Sequence, residues 1–143
     1  EAKPTPSPLL ASVLEAAGGR VGRLGTVDTY FPGESGKVTD RMTSPEAPEV
    51  QSLLRRFADA GCEFAIVEST SHGLALHRMD HVEYDVAVFT NITGDHLDFH
   101  KTFYAYREAK GLLFAALDSA TDKGVALDHL AHAQRQADGD HCR

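Results

Sequence analysis

Apolar residues recur along the chain in two rhythms, helical spacings and short unbroken runs, and their alternation predicts an α/β domain. In LLASVLEAAGG, from Leu9, the leucines, alanines and Val13 fall at helical spacing, and Gly18-Gly19 is a helix stop. The first eight residues, EAKPTPSP, are proline-rich, so no regular helix is expected to begin among them. VGRLGTV, ending at Val27, reads as a short strand. Asp28 to Asp40 reads as a hairpin or loop, with the β-formers Tyr30, Phe31 and Val38 set among polar residues and glycines. Thr43-Ser44-Pro45-Glu46 carries the signals of a helix entrance: a hydroxyl N-cap, a proline at the first helical position and an acid in the first turn. The helix that follows puts Val50, Leu53, Leu54 and Phe57 on one face and ends at Gly61. Phe64 to Val67 (FAIV) is a continuous apolar strand that stops at Glu68. Tyr84 to Thr90 gives a second such strand, Phe103 to Leu117 a long helix, and GVAL from Gly124 a further strand.

Strands that are apolar straight through and alternate with helices predict a three-layer fold, a mostly parallel sheet with helices on both faces. In such sheets ligands bind beyond the carboxyl ends of the strands. Both predicted strands run into polar clusters, FAIV into ESTSHG and VAVFT into NITGDHLD, which are expected to share one sheet edge. The densest stretch is Asp85 to Phe114, where an apolar run, a turn with two histidines and two aspartates, and a lysine-bearing helix follow one another.

Composition narrows the picture. The chain has 143 residues, 42% hydrophobic and 24% charged, enough for one domain with a real core. A net charge of −7 argues against a nucleic-acid or anionic-membrane surface. The two cysteines, Cys62 and Cys142, form no CxxC pair, which fits a reducing cytoplasm and excludes a disulfide framework and a cysteine zinc site. No apolar run is long enough to span a membrane, and the N-terminus has no signal-peptide core. A cytoplasmic protein is expected.

Candidate chemistry gathers at the strand ends. Glu68, the first residue past its strand, is either solvated or engaged with a cation. His96 stands beside Asp95 and Asp98 past the next strand, and one carboxylate with one imidazole, phosphate oxygens and water is a shell that holds Mg²⁺. His96 and His100 are also at helical i, i+4 spacing, but no HExxH motif accompanies them. Lys110 falls on the wheel among Phe103, Tyr106, Leu113 and Phe114, so its ammonium either snorkels to water or points at the strand ends, where it has reason to be neutralised or modified. Arg78, Thr70 and Ser71 suit an anionic substrate as well as they suit capping and surface charge.

With these residues in view, ESTSHGLALHR, FTNITGDHLDFH and the lysine of EAKGLLF closely resemble the central domain of the Mur ligases, and TSPEAPEVQ resembles that family's Thr-Thr-Pro segment. The resemblance runs from about Leu9 to Ala126 and is greatest to the members that add the third amino acid to UDP-N-acetylmuramoyl-L-alanyl-D-glutamate. It implies ATP and Mg²⁺, and a reaction in which the D-glutamyl carboxylate is phosphorylated and an amino acid attacks the acyl phosphate. Glu68 and His96 would be the Mg²⁺ ligands, and Lys110 the catalytic lysine that the family carbamylates. Thr43, Ser44, Thr70 and Arg78 would contact the UDP-sugar dipeptide, with Thr70 standing where a serine is usual. Leu76 stands where some members have a polar substrate contact.

Two departures bear on activity. The family's phosphate loop ends in Gly-Lys-Thr-Thr, whereas this chain has Ala2-Lys3-Pro4-Thr5, and Pro4 offers neither a hydroxyl nor a backbone N–H. After Ala126 the chain reads ALDHLAHAQRQADGDHCR where the family has an Asn-x-Asp-Asp-Pro stretch. The resemblance therefore implies an altered remnant of the loop at residues 1–8, a partial central domain at 9–126 and an unassigned tail at 127–143. The family's N- and C-terminal domains would be missing, and the isolated chain inactive as a ligase. The alternative is a non-catalytic module of the same fold that binds a nucleotide-sugar or a partner protein.

Overall fold

The computed structural model describes residues 6–26, 28–33, 45–90, 97–117 and 123–126. These form two compact units, Glu1–Gly73 with His77–Asp80 and Leu74–Leu76 with His81–Arg143.

The first unit opens with helix α1, Pro6–Ala16. It begins three residues earlier than the prolines predict, because Pro6 and Pro8 occupy the first turn, where no backbone N–H has an intrahelical acceptor to lose. It ends as the glycine pair predicts. Gly18 adopts φ +94° and donates its N–H to Glu15 O at 2.9 Å, while Gly19 donates to Leu14 O at 3.0 Å, a Schellman close. Strand β1 (Val21–Leu24) follows, three residues shorter than the run to Val27 predicts, and pairs antiparallel with β2 (Thr29–Tyr30); the rest of the hairpin or loop expected over Asp28 to Asp40 lies largely outside the described residues.

Helix α2 spans Ala47–Asp59, with Glu46 rather than Ser44 at its N-cap position and no side-chain cap. Pro48 is the reason. A helix starting at Pro45 would put Pro48 where the first intrahelical N–H must be donated; moving the start places Pro48 in the free first turn, and Val50 N donates to Glu46 O at 3.0 Å. Val50, Leu53 and Phe57 are buried as their spacing predicts, with the Phe57 ring 4.7 Å from that of Phe31. Gly61, at φ +72°, closes α2 in the same way as Gly18 closes α1. Strand β3 is Phe64–Val67, with the bounds its apolar run predicts, and lies parallel to β1 in a sheet of order β2-β1-β3.

A short helix, α3 (Ser71–Ala75), follows. In the second unit β4 (Val86–Phe89) pairs parallel with β5 (Lys123–Ala126), the connection running through α4 (Leu97–His100) and α5 (Phe103–Ala115). Thr102 caps α5, its hydroxyl accepting from Ala105 N at 3.1 Å. Phe89 and Tyr106 are buried together, with Phe103 and Phe114 packed against them.

The fold is α/β, a small mixed sheet with helices, and the sheet is incomplete. Two expectations need correction. The described strands form two sheets, β3 in one and β4 in the other, so a single sheet edge bearing both polar clusters is not realised among them. An apolar run shows that a strand can be covered; which strand it pairs with is decided by backbone partners distant in sequence. Nor is either run buried on both faces. Ala87 and Phe89 of β4 are buried while Val86 and Val88 are exposed, and Phe64 of β3 is exposed.

Candidate active site

Glu68 leaves β3 with its backbone still in the ladder, its N–H donating to Leu24 O at 2.9 Å. That fixes the start of the side chain at the carboxyl end of the strand. The carboxylate is held from two further elements. Ser7, in the first turn of α1, donates from Oγ to Oε1 at 2.5 Å, and Thr26, in the turn after β1, donates to Oε2 from its N–H at 3.1 Å and from Oγ1 at 3.3 Å. Glu68 is therefore neither freely solvated nor at liberty to change rotamer.

Beside it, Arg23 forms a bidentate pair with Asp28, at 2.8 and 2.9 Å. The Asp28 hydrogen bond, and to a lesser degree the charge on Glu68, hold the Arg23 pKa above its ordinary value against the opposing effect of burial. The end of β3 thus combines one immobilised carboxylate with a guanidinium that never loses its charge.

This carboxylate suits magnesium. An ionised carboxylate offers about four lone-pair positions, and its three hydrogen bonds leave room on Oε1. Mg²⁺ takes hard oxygen ligands and is usually held by one or two carboxylates, with phosphate oxygens and water completing the shell. His96, the expected second ligand, lies outside the described residues, as do Thr43, Ser44, Lys3 and Pro4.

Thr70 Oγ1 accepts from Gly73 N at 3.0 Å and so caps α3; its hydroxyl proton is still available to donate. Ser71, one residue on, is 2% exposed, and its Oγ has no hydrogen-bond partner among the described residues. Arg78 is in the turn after α3, its N–H donating to Gly73 O at 2.8 Å and its Nη2 2.9 Å from Glu46 Oε1.

In the second unit Lys110 is half-buried on α5, its Nζ 5.9 Å from the centroid of the Tyr106 ring. Burial lowers its pKa, favouring the neutral amine. His100 is buried, its ring 4.8 Å from Phe99 and 5.4 Å from Tyr106.

Glu68 follows β3 as the sequence predicts, but nothing in the sequence shows what holds it. Ser7 and Thr26 are separated from it by 61 and 42 residues, and no local spacing announces either contact. In the sequence Glu46 is a helix-entrance acid, and no spacing there announces its pairing with Arg78.

Comparison with known proteins decides the family. Residues 3–138 match the Mur ligase middle domain. The chain belongs to the Mur ligase family. It is 41% identical to a UDP-N-acetylmuramyl-tripeptide synthetase of Roseiflexus sp. (strain RS-1), over all of this chain and 28% of that protein. It is 43% identical to a UDP-N-acetylmuramoyl-L-alanyl-D-glutamate--2,6-diaminopimelate ligase of Corynebacterium glutamicum, over 94% of this chain and 26% of that protein. A solved structure of a ligase with the same name superposes with a TM-score of 0.68 at 32% identity, covering 78% of this chain and 22% of the other. The chain thus spans about a quarter of the length of these Mur ligase relatives. No helix among the described residues is long and apolar enough to cross a membrane.

Proposed function

We propose that the gene product carrying this sequence joins an amino acid to UDP-N-acetylmuramoyl-L-alanyl-D-glutamate in the cytoplasm, at the expense of ATP, as a step in peptidoglycan synthesis. The names of the relatives favour 2,6-diaminopimelate as the amino acid. The observation that carries this reading is the Glu68 carboxylate, immobilised at a strand end by Ser7 and Thr26 and placed at the head of ESTSHGLALHR.

In this reading the D-glutamyl carboxylate attacks the γ-phosphorus of ATP and ADP leaves. The amine of the incoming amino acid then attacks the acyl carbon, inorganic phosphate departs with its oxygen, and the amine gives up a proton. Glu68 and His96 would hold Mg²⁺, which would supply positive charge to offset that of the phosphates. Arg78, Thr70, Thr43 and Ser44 bind and orient the nucleotide-sugar dipeptide. The neutral amine that burial favours at Lys110 is the form that adds to carbon dioxide, releasing a proton and leaving a carbamate able to help position the reacting groups.

A second reading, a binding module without catalysis, draws on Pro4, which can give phosphate no N–H. Incubation of the purified gene product with Mg-ATP, the UDP-sugar dipeptide and 2,6-diaminopimelate separates the two. The ligase reading expects ADP and UDP-sugar tripeptide in equal amounts by mass spectrometry, and neither when the dipeptide is omitted. Tight binding of the UDP-sugar dipeptide with no ADP would instead support the module.

A further inference from the structure

The two ends of the Arg78–Glu46 ion pair are held very differently. Arg78 is 23% exposed, and its backbone is fixed by the hydrogen bond to Gly73. Glu46 is 69% exposed and, although it is the N-cap residue of α2, its side chain makes no capping hydrogen bond. A guanidinium in a largely desolvated position favours an anionic partner. A carboxylate that water already solvates over most of its surface gains little from the pair. The arginine is thus positioned by the fold, whereas the Glu46 carboxylate, one of its partners, can be replaced at small cost. Glu46 also follows Thr43 and Ser44 by three and two positions, so one short stretch carries both this carboxylate and the hydroxyls expected to meet substrate.

We infer that Glu46 is a displaceable placeholder for substrate: its carboxylate occupies the Arg78 guanidinium until an anionic group of the ligand, a phosphate or a carboxylate, takes its place. This rests on the reading of Arg78 as a substrate-binding residue. Glu46 is then a residue that tunes affinity. In the free protein it keeps the guanidinium ordered and aimed, and on binding it returns to water with little loss, since most of its surface is already solvated. Binding gains a charge-assisted contact to Arg78 but must first break the existing one, so removing the charge on Glu46 strengthens binding.

Isothermal titration of the gene product tests this, with UDP, L-alanyl-D-glutamate and UDP-N-acetylmuramoyl-L-alanyl-D-glutamate as probes. Glu46→Gln is expected to tighten binding by about twofold to fivefold, the affinity equivalent of an exposed ion pair. The gain appears with UDP if a phosphate is the displacing group, and with the dipeptide if a carboxylate is. In an Arg78→Gln background, Glu46→Gln is expected to change nothing. Unchanged or weaker binding by Glu46→Gln, or the same gain without Arg78, overturns the inference and leaves the reading of Arg78 standing. Wild-type binding that Arg78→Gln does not weaken overturns that reading, and the placeholder with it.

Discussion

Ser7 and Glu68, 61 residues apart, meet at 2.5 Å, the serine hydroxyl of the first turn of α1 donating to the carboxylate at the end of β3. The contact joins the helix that follows the expected phosphate-loop segment to the residue expected to hold metal. With Thr26 on the other carboxylate oxygen, it ties α1 and the turn after β1 to the end of β3.

Ser7→Ala removes one donor to a charged acceptor while Thr26 keeps its two bonds. A loss of about 1–2 kcal/mol in unfolding free energy is expected, read from urea denaturation. An unchanged midpoint would show that the serine contributes nothing net.

Two glycines should respond oppositely to the same change. Gly18 closes α1 at φ +94° with open space around it, so Gly18→Ala strains the backbone and is expected to destabilise by about 1 kcal/mol. Gly111 lies inside α5, and an added methyl there meets nothing, so Gly111→Ala is expected to stabilise by about 1 kcal/mol. Thermal unfolding of the two variants checks the signs.

What the sequence made legible follows from the range of the forces involved. Val50, Leu53 and Phe57 were readable as a buried face because helical period is a local property, and FAIV was readable because an apolar run bounded by Gly61 and Glu68 leaves little latitude. The start of α1 at Pro6 departs from a reading of Pro6 and Pro8 as helix breakers, and the start of α2 departs from a reading of Pro45 as the helix opener that leaves Pro48 out of account; in both, the effect of a proline depends on which turn it occupies. The clamp on Glu68 and the Arg78–Glu46 pair were not legible at all. Each joins side chains from different elements, and neither residue type nor spacing fixes such a meeting.

Burial lowers the pKa of Lys110 from its ordinary 10.5, which ties stability to pH. Below the folded-state pKa the ammonium is charged in both states and better solvated when unfolded, so the penalty is fully present. As pH rises through the folded-state pKa toward 10.5, the unfolded chain binds more protons and stability increases. Lys110→Met is expected to be more stable than wild type near neutral pH and to lack this rise. Urea midpoints between about pH 7 and about pH 10, in buffer free of carbon dioxide so that the amine stays unmodified, check both. A variant that keeps the rise would assign it to another group.

Glu68 carries the functional account, and Glu68→Gln tests it most directly. The glutamine keeps the size of the side chain and an oxygen for Ser7 or Thr26, but loses the charge. In the gene product, Mg²⁺-dependent ADP release with the UDP-sugar dipeptide and 2,6-diaminopimelate is expected to fall by about a hundredfold or more, with the protein still folded by circular dichroism. Wild-type ADP release from a folded Glu68→Gln protein would contradict the account.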